Sequence, residues 1–318
     1  MRSPFFVFAL GVSCLSGCAV SSAPDEAELS HHPSQPLTVE NGANLNGANL
    51  NGANLNGNDL SGFLVSTSYY PVKKEGSVLD RVWLEGSTLR GIKGSSAYSG
   101  ADFIGTELVG NLGDGKTVRL RITATSPAPT PNEDLSLYQV EFRGDDEQWY
   151  PICRDASGNA LLALPVAGTW DYRQGVPGGG SKLEDPDRFT FACQGGAIAK
   201  CVQWGYRPWA HLNGVALAPY HQSCTRLVRA DYCGDGKSYT QEGNRINLYD
   251  SLGIQRDTEN WVFEAEWDEG GARCFYPLNR SHAGLPCYDS RVDTFCGQNL
   301  SPSRGVLLRN ETPSGGLL

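Results

Sequence analysis

Methionine is almost missing: the 318-residue chain has one, at its start. Charge is also sparse, at 19% of residues, and the balance is acidic at -9. Nucleic-acid binding needs clustered Lys and Arg, and this chain offers no such cluster. After the N-terminal segment, no stretch approaches the roughly 18 apolar residues of a membrane-spanning helix. No Cys-x-x-Cys pair occurs, which argues against a zinc ribbon or a thioredoxin-like redox site. A Ser nucleophile elbow, a His-Glu-x-x-His helix and a dinucleotide fingerprint are missing too, so neither metal nor cofactor is expected. The length suits one large domain or two smaller ones with a sizeable core.

What the chain does have begins with an address. Arg2, the apolar run Phe5 to Val12 and the closing Leu15-Ser16-Gly17-Cys18 have the form of a secretory signal. Leu-Ser-Gly-Cys also resembles a bacterial lipobox, which implies cleavage after residue 17 and a lipid on Cys18. Ala19 stands where Asp favours inner-membrane retention in lipoproteins, so the resemblance implies the outer membrane. The alternative is ordinary signal cleavage after an Ala. Residues 1–18 are thus read as a lipoprotein signal and 19–40, rich in Ser, Pro and Glu, as a flexible tether. Of ten cysteines, Cys14 leaves with the signal and Cys18 takes the lipid. The remaining eight are Cys153, Cys193, Cys201, Cys224, Cys233, Cys274, Cys287 and Cys296. In an oxidising compartment they read as four disulfides, with about 105 connectivities open.

Residues 41–62 carry Ala-Asn-Leu-Asn-Gly three times and then Asn58-Asp59-Leu60-Ser61-Gly62, so that Leu45, Leu50, Leu55 and Leu60 recur every five residues. Neither a helix nor a flat strand places such a period on one face. It resembles a pentapeptide repeat, whose square solenoid turns its Leu inward. Four units make one coil, which cannot bury its own face. A solenoid coil and a solvated spacer therefore both remain open. The weaker echo from Val82 to Gly110 reads as ordered strands and turns.

The fold class expected is α+β and β-rich: an antiparallel β domain, then a disulfide-rich region with two short helices and a hairpin. Val118, Leu120 and Ile122 alternate with Arg119, Arg121 and Thr123 after the Gly113-Asp114-Gly115 turn. Thr125 to Asp134 reads as a loop. Leu137 to Phe142, Trp149 to Cys153, Ala160 to Val166, Trp170 with Tyr172, and Arg188 to Cys193 read as strands. Cys153 and Cys193 both close strands and form the first pairing to expect. Gly175 to Gly180 reads as a bend, because no strand precedes a helix there. Ala197, Ile198, Cys201 and Val202 fall at helical spacing, and the helix is expected to end at Pro208. Tyr220 to Tyr232 reads as a second helix, stopped by Gly234. Lys237 to Asp250 has a hairpin pattern around Gly243-Asn244. Trp261 to Trp267 reads as a strand, with Glu264 and Glu266 on its solvated face.

Arg229-Ala230-Asp231-Tyr232-Cys233-Gly234-Asp235-Gly236 is the centre of a wider set of motifs. These are Phe191-Ala192-Cys193, Ala199-Lys200-Cys201-Val202, Gly205-Tyr206-Arg207-Pro208-Trp209, His221-Gln222-Ser223-Cys224, Gly253-Ile254-Gln255 and Glu264-Ala265-Glu266-Trp267. Together they resemble the ADYC-domain family of bacterial exported proteins, over roughly residues 80–310. The β part would span about 80–193 and the cysteine-rich part about 194–310. Arg207 stands where the family more often has Lys, which keeps the charge. Leu-Asn-Gly repeats upstream also recur in the family. The resemblance implies export and brings no activity with it.

Three chemistries are worth weighing. His221 and Cys224 are three residues apart, and a helix puts them on one face, where a His can activate a thiol. Against this, eight cysteines leave no obvious free thiol. Asp231, Asp235, Glu264 and Glu266, joined by Asp250, offer carboxylates that can converge with His221 for glycoside hydrolysis or calcium binding. Against this, Gly-Asp-Gly is an ordinary turn and Asp231 can pair with Arg226 or Arg229. Trp204, Tyr206, Trp209, Trp261 and Trp267 offer aromatic faces for a glycan, or a packed core. The expectation is a lipid-anchored, exported protein of the outer membrane, binding a surface glycan or protein without catalysis. The alternative is a secreted hydrolase using His221 and the carboxylates.

Overall fold

The computed structural model describes residues 27–28, 38–40, 62–276, 280, 284–287, 296 and 305–313. The signal, the lipobox with Cys18 and nearly all of the five-residue repeat lie outside these residues. Among the described residues the chain is β-rich with two α-helices, as its patterning predicts.

The first half closes into an antiparallel barrel of six strands. Ser136–Arg143 pairs with Thr117–Pro127 on one side and, through Tyr138 and Ala163, with Ala163–Ala167 on the other. Ala163–Ala167 continues to Arg188–Cys193, then Leu64–Lys74, then Glu107–Leu112, and back to Thr117–Pro127. A small barrel must fill its interior with side chains. Leu64, Leu108, Leu120, Ile122, Tyr138, Val140, Phe189 and Phe191 do so. Leu64–Lys74 sits in the middle of this sheet, upstream of the boundary near residue 80. The stretch expected as a loop from Thr125 starts later, because the strand runs on to Pro127 against Ser136–Arg143. A three-stranded meander, Arg81–Glu85, Thr88–Lys93 and Ser96–Ser99, covers one end and sends Val82 and Leu89 into the same core. The five-residue period there thus belongs to antiparallel strands.

The second half is a five-stranded antiparallel sheet with the helix α2 (Ala218–Val228) against it and the helix α1 (Ala197–Gln203) packed on α2. Its order is Thr38–Glu40, Arg245–Asp250, Leu308–Thr312, Val262–Asp268 and Gly271–Phe275. The expected hairpin around Gly243-Asn244 does not form. Arg245–Asp250 pairs instead with the C-terminal strand and with Thr38–Glu40. The hairpin of this region is Val262–Asp268 with Gly271–Phe275. Two short pieces of the stretch expected as a tether are strands: Thr38–Glu40 here, and Ala27–Glu28 beside Ala210–Leu212. Helix α1 joins the halves: Ala197 and Cys201 enter the core of the second, and Ile198, Ala199 and Val202 a separate cluster with the barrel-strand residues Leu137, Leu164, Val166 and Ala192. It stops at Gln203, short of Pro208, where Gly205 takes a φ of 101°.

All eight cysteines among the described residues pair: Cys153–Cys193, Cys201–Cys224, Cys233–Cys287 and Cys274–Cys296. The expected bond between the two strand-closing cysteines is the first of these.

Candidate functional site

Helix α2 ends four residues before Tyr232, not at it. Ala230 turns left-handed at a φ of 51°, and its N–H donates to Leu227 O at 3.0 Å. The Asp231 N–H reaches back to Arg226 O at 2.9 Å. This is the paired-bond helix end that usually places Gly at the left-handed position. Here the residue is Ala, and its methyl is buried in the core of the second half.

The turn sends the Asp231 carboxylate back under the helix. Oδ2 pairs with the Arg226 guanidinium, lies 3.7 Å from Arg229 Nη1, and accepts the Gly236 N–H at 3.1 Å. Oδ1 accepts the Asp235 N–H at 3.1 Å. Asp231 therefore organises both the helix end and the loop after it. Arg229 is wholly buried; burial pushes its pKa down and Asp231 pushes it back up. The polar face of α2 is covered by the glycine-rich bend. Gln222 Nε2 donates to Gly180 O at 3.0 Å, Gln222 Oε1 accepts from Lys182 N at 2.9 Å, and Arg226 reaches Gly179 O and Ser181 Oγ. The two loops meet backbone to backbone: a Cβ on Gly236 would lie 2.3 Å from Arg173 O, and one on Gly179 2.4 Å from Asp235 O.

Tyr232 anchors the sheet. Its hydroxyl donates to Glu264 Oε1 and accepts the Arg280 N–H at 3.2 Å. Arg280 Nε donates to both Glu264 oxygens at 2.9 Å, and its Nη2 caps Leu227 O at 2.7 Å. Asn310 Nδ2 donates to Glu264 Oε2 at 2.8 Å, and Trp267 Nε1 to Asn310 Oδ1 at 2.7 Å. The Tyr232 ring stacks on Trp267 at 5.1 Å. Burial raises the Tyr232 pKa far above that of a free phenol, and the Glu264 charge adds to it. Cys233 completes the tetrapeptide with its bond to Cys287.

Residues 100–281, more than half of the chain, match the ADYC domain, and residues 41–62 match pentapeptide repeats. The chain belongs to the ADYC domain family. No curated protein and no solved structure matches it. The name-giving residues of the ADYC domain each have a packing role here: a left-handed turn, a buried anion, a sheet anchor and a disulfide.

The other motifs of the ADYC domain act as joints in the same way. Tyr206 donates to Asp250 Oδ2 at 2.7 Å, and Arg207 forks onto Asp134, tying the barrel's proline loop to the second half. Gln255 donates to Trp204 O at 2.8 Å, and its own N–H goes to Asp250 Oδ2 at 2.8 Å.

His221 is fully buried, with Nε2 3.1 Å from Ile198 O and its ring edge-on to Trp170 at 6.0 Å. Burial lowers its pKa to about 3, against the opposing pull of the Ile198 carbonyl. It is therefore neutral at pH 7 and donates from Nε2. Cys224 is no thiol: it is bonded to Cys201. The sequence expectation placed Glu264 and Glu266 on a solvated face. Both are buried, because Arg280 and Arg309 come in from the chain's far end to pair with them. Asp235 is half-buried; burial raises its pKa, opposed by the Lys237 N–H on Oδ1 at 3.0 Å. Glu266, Cys274 and Cys296 lie within metal-ligating distance of one another, but the two sulfurs are bonded to each other and Arg309 holds the carboxylate.

The aromatic side chains expected as a platform do not share a face. Tyr206 and Trp267 are buried, Trp204 and Trp209 pack on the cores, and Trp261 lies under the Arg245 guanidinium at 5.1 Å. An open cleft of about 380 Å³ lies elsewhere, between the meander and the barrel, with Tyr69, Arg81, Trp83, Gly168, Glu184 and Asp185 among its lining. Sequence reasoning passed over it. The available signal was Arg81 and Trp83 alternating with the apolar Val82 and Leu84.

Four disulfides fit an extracytoplasmic protein. Among the described residues, no helix is long and apolar enough to cross a membrane.

Proposed function

We propose that this chain is a lipid-anchored module of the outer membrane, held through Cys18, that binds a surface glycan or protein without catalysis. One observation carries the reading: His221, Asp231, Glu264 and Glu266 are each at most 2% exposed and are engaged within the fold. A hydrolase needs its acid and base within reach of substrate. Here those groups fasten a helix end and a sheet, and the disulfides suit an exposed place in the envelope.

The test uses the full chain expressed with its own leader. Labelling with an alkyne fatty acid is expected on the native chain and lost in Cys18→Ser. The purified protein is then incubated with insoluble polysaccharides and cell-wall sacculi. Retention with no release of reducing ends is expected. Release of reducing ends that is abolished by Glu264→Gln in a chain that still folds would establish the hydrolase instead.

A further inference from the structure

The cleft beside Trp83 has the size and chemistry of a ligand site. Its volume of about 380 Å³ falls within the roughly 300–1,000 Å³ typical of small-molecule sites. Strand geometry builds its wall. In Arg81–Glu85, Val82 is buried in the barrel's core, so its neighbours Arg81 and Trp83 are turned to the other face. The Arg81 guanidinium lies over the Trp83 ring, 5.2 Å from its centroid, so a donor covers one face of the indole and a ligand meets that pair together or the indole's other face. From the barrel side, Glu184 presents a carboxylate that is 82% exposed and pairs with Lys182. Asp185 is held by the Asp187 N–H at 3.0 Å on Oδ1. Tyr69 packs on Phe189 at 4.9 Å; burial, and then the Asp185 charge, push its pKa up, so its phenol stays protonated beside that carboxylate.

We infer that this cleft is a saccharide subsite that takes a neutral or N-acetylated sugar residue. An indole face suits the C–H face of a pyranose, and carboxylates, a guanidinium and a phenol suit its hydroxyls. An apolar ligand would take water from Glu184 and Asp185, which pair with Lys182 and Arg188, and return no hydrogen bond to their remaining lone pairs. A sulfated or uronic glycan would meet these two carboxylates and a chain of net charge -9. The inference rests on the binding-module reading and gives it a site and a ligand class.

The test is titration of the full mature chain with chitotriose, cellotriose and a heparin-derived oligosaccharide, followed by calorimetry and tryptophan fluorescence. Saturable binding of chitotriose or cellotriose is expected. Trp83→Ala should weaken it at least roughly tenfold, and Glu184→Gln by a smaller factor, with the thermal midpoint kept. Glu184 is exposed enough that its variant decides the matter if Trp83→Ala does not fold. Binding of the heparin oligosaccharide alone, binding that neither variant weakens, or no binding of any probe overturns the inference. If the native chain still sediments with sacculi in those cases, the binding-module reading survives. If it does not sediment, a glycan-binding module falls as well.

Discussion

Arg226 and Asp231 are joined twice: by the backbone bond from Asp231 N to Arg226 O at 2.9 Å, and by their buried side chains. In this kind of helix end, the same two positions usually make an apolar contact. Replacing that contact with an ion pair puts an anion under the helix, where it also gathers the Asp235 and Gly236 N–H groups. The motif is thus a helix terminator with a charge built in.

Asp231→Asn is therefore expected to destabilise the domain by about 3–5 kcal/mol, because it leaves two buried guanidiniums without their anion. Denaturant unfolding at pH 7, with disulfides intact, measures this. Arg226→Gln should cost a similar amount, and the double variant less than the two together. A loss below about 1 kcal/mol for Asp231→Asn would mean that the pair is incidental.

His221 gives the fold an acid sensitivity with a defined window. Its pKa is about 3 in the folded chain and roughly 6.5 when unfolded. Between those values the unfolded state binds the extra proton, so stability rises with pH there and falls on acidification. His221 contributes fully above about pH 6.5 and loses up to roughly 1.4 kcal/mol per pH unit below it. His221→Gln keeps a donor for Ile198 O and does not titrate. Unfolding free energies of the two proteins should run parallel above pH 7 and diverge below about 6, the native chain falling faster. Parallel curves down to pH 4 would contradict the buried neutral imidazole.

How much of this was legible follows from which forces are local. Strand alternation from Val118 to Ile122 and helical spacing from Ala197 to Val202 depend on near neighbours, and both elements form where expected. Leu64–Lys74 was missed because Ser66, Thr67 and Ser68 break its apolar pattern, although Ser66 and Thr67 are buried in the barrel. The end of α2 was misplaced because nothing local marks Ala230 as left-handed; the Asp231 pairing and the sheet beneath compel it. Glu264 and Glu266 read as solvated because Arg280, Arg309 and Asn310 arrive from 16 to 46 residues away. Barrel closure also depends on distant strands, so the alternation of Arg81 and Trp83 marks one wall of the cleft but nothing local brings Glu184 and Asp185 opposite it.

The cysteines carry a sharp expectation. Alkylation of the folded chain without reductant should leave Cys153, Cys193, Cys201, Cys224, Cys233, Cys274, Cys287 and Cys296 unmodified by mass. An adduct at Cys224 would revive a thiol beside His221. Removing a bridge should cost more as its loop lengthens. Cys201→Ala with Cys224→Ala opens a separation of 23 residues and should cost about 3 kcal/mol. Cys233→Ala with Cys287→Ala opens one of 54 and should cost about 4 kcal/mol.

Two glycines with nearly the same φ separate conformational strain from loop packing. Gly243 and Gly236 have φ of 87° and 81°. Around Gly243 a Cβ meets nothing within 4 Å, whereas at Gly236 it would lie 2.3 Å from Arg173 O and 2.7 Å from the Gly179 carbonyl carbon. Gly243→Ala should therefore cost only the left-handed penalty, about 1–2 kcal/mol. Gly236→Ala must also push the glycine-rich bend off the loop after Tyr232. That movement strains the bonds from Arg226 and Gln222 to Gly179 and Gly180. Its cost should exceed that of Gly243→Ala by at least about 2 kcal/mol, since buried polar groups lose partners. Hydrogen exchange should then show faster amide exchange in residues 176–181 and 231–236, and little change in the barrel. Equal costs for the two variants would mean that the bend does not bear on the Asp231 turn, and that the helix end holds its anion without it.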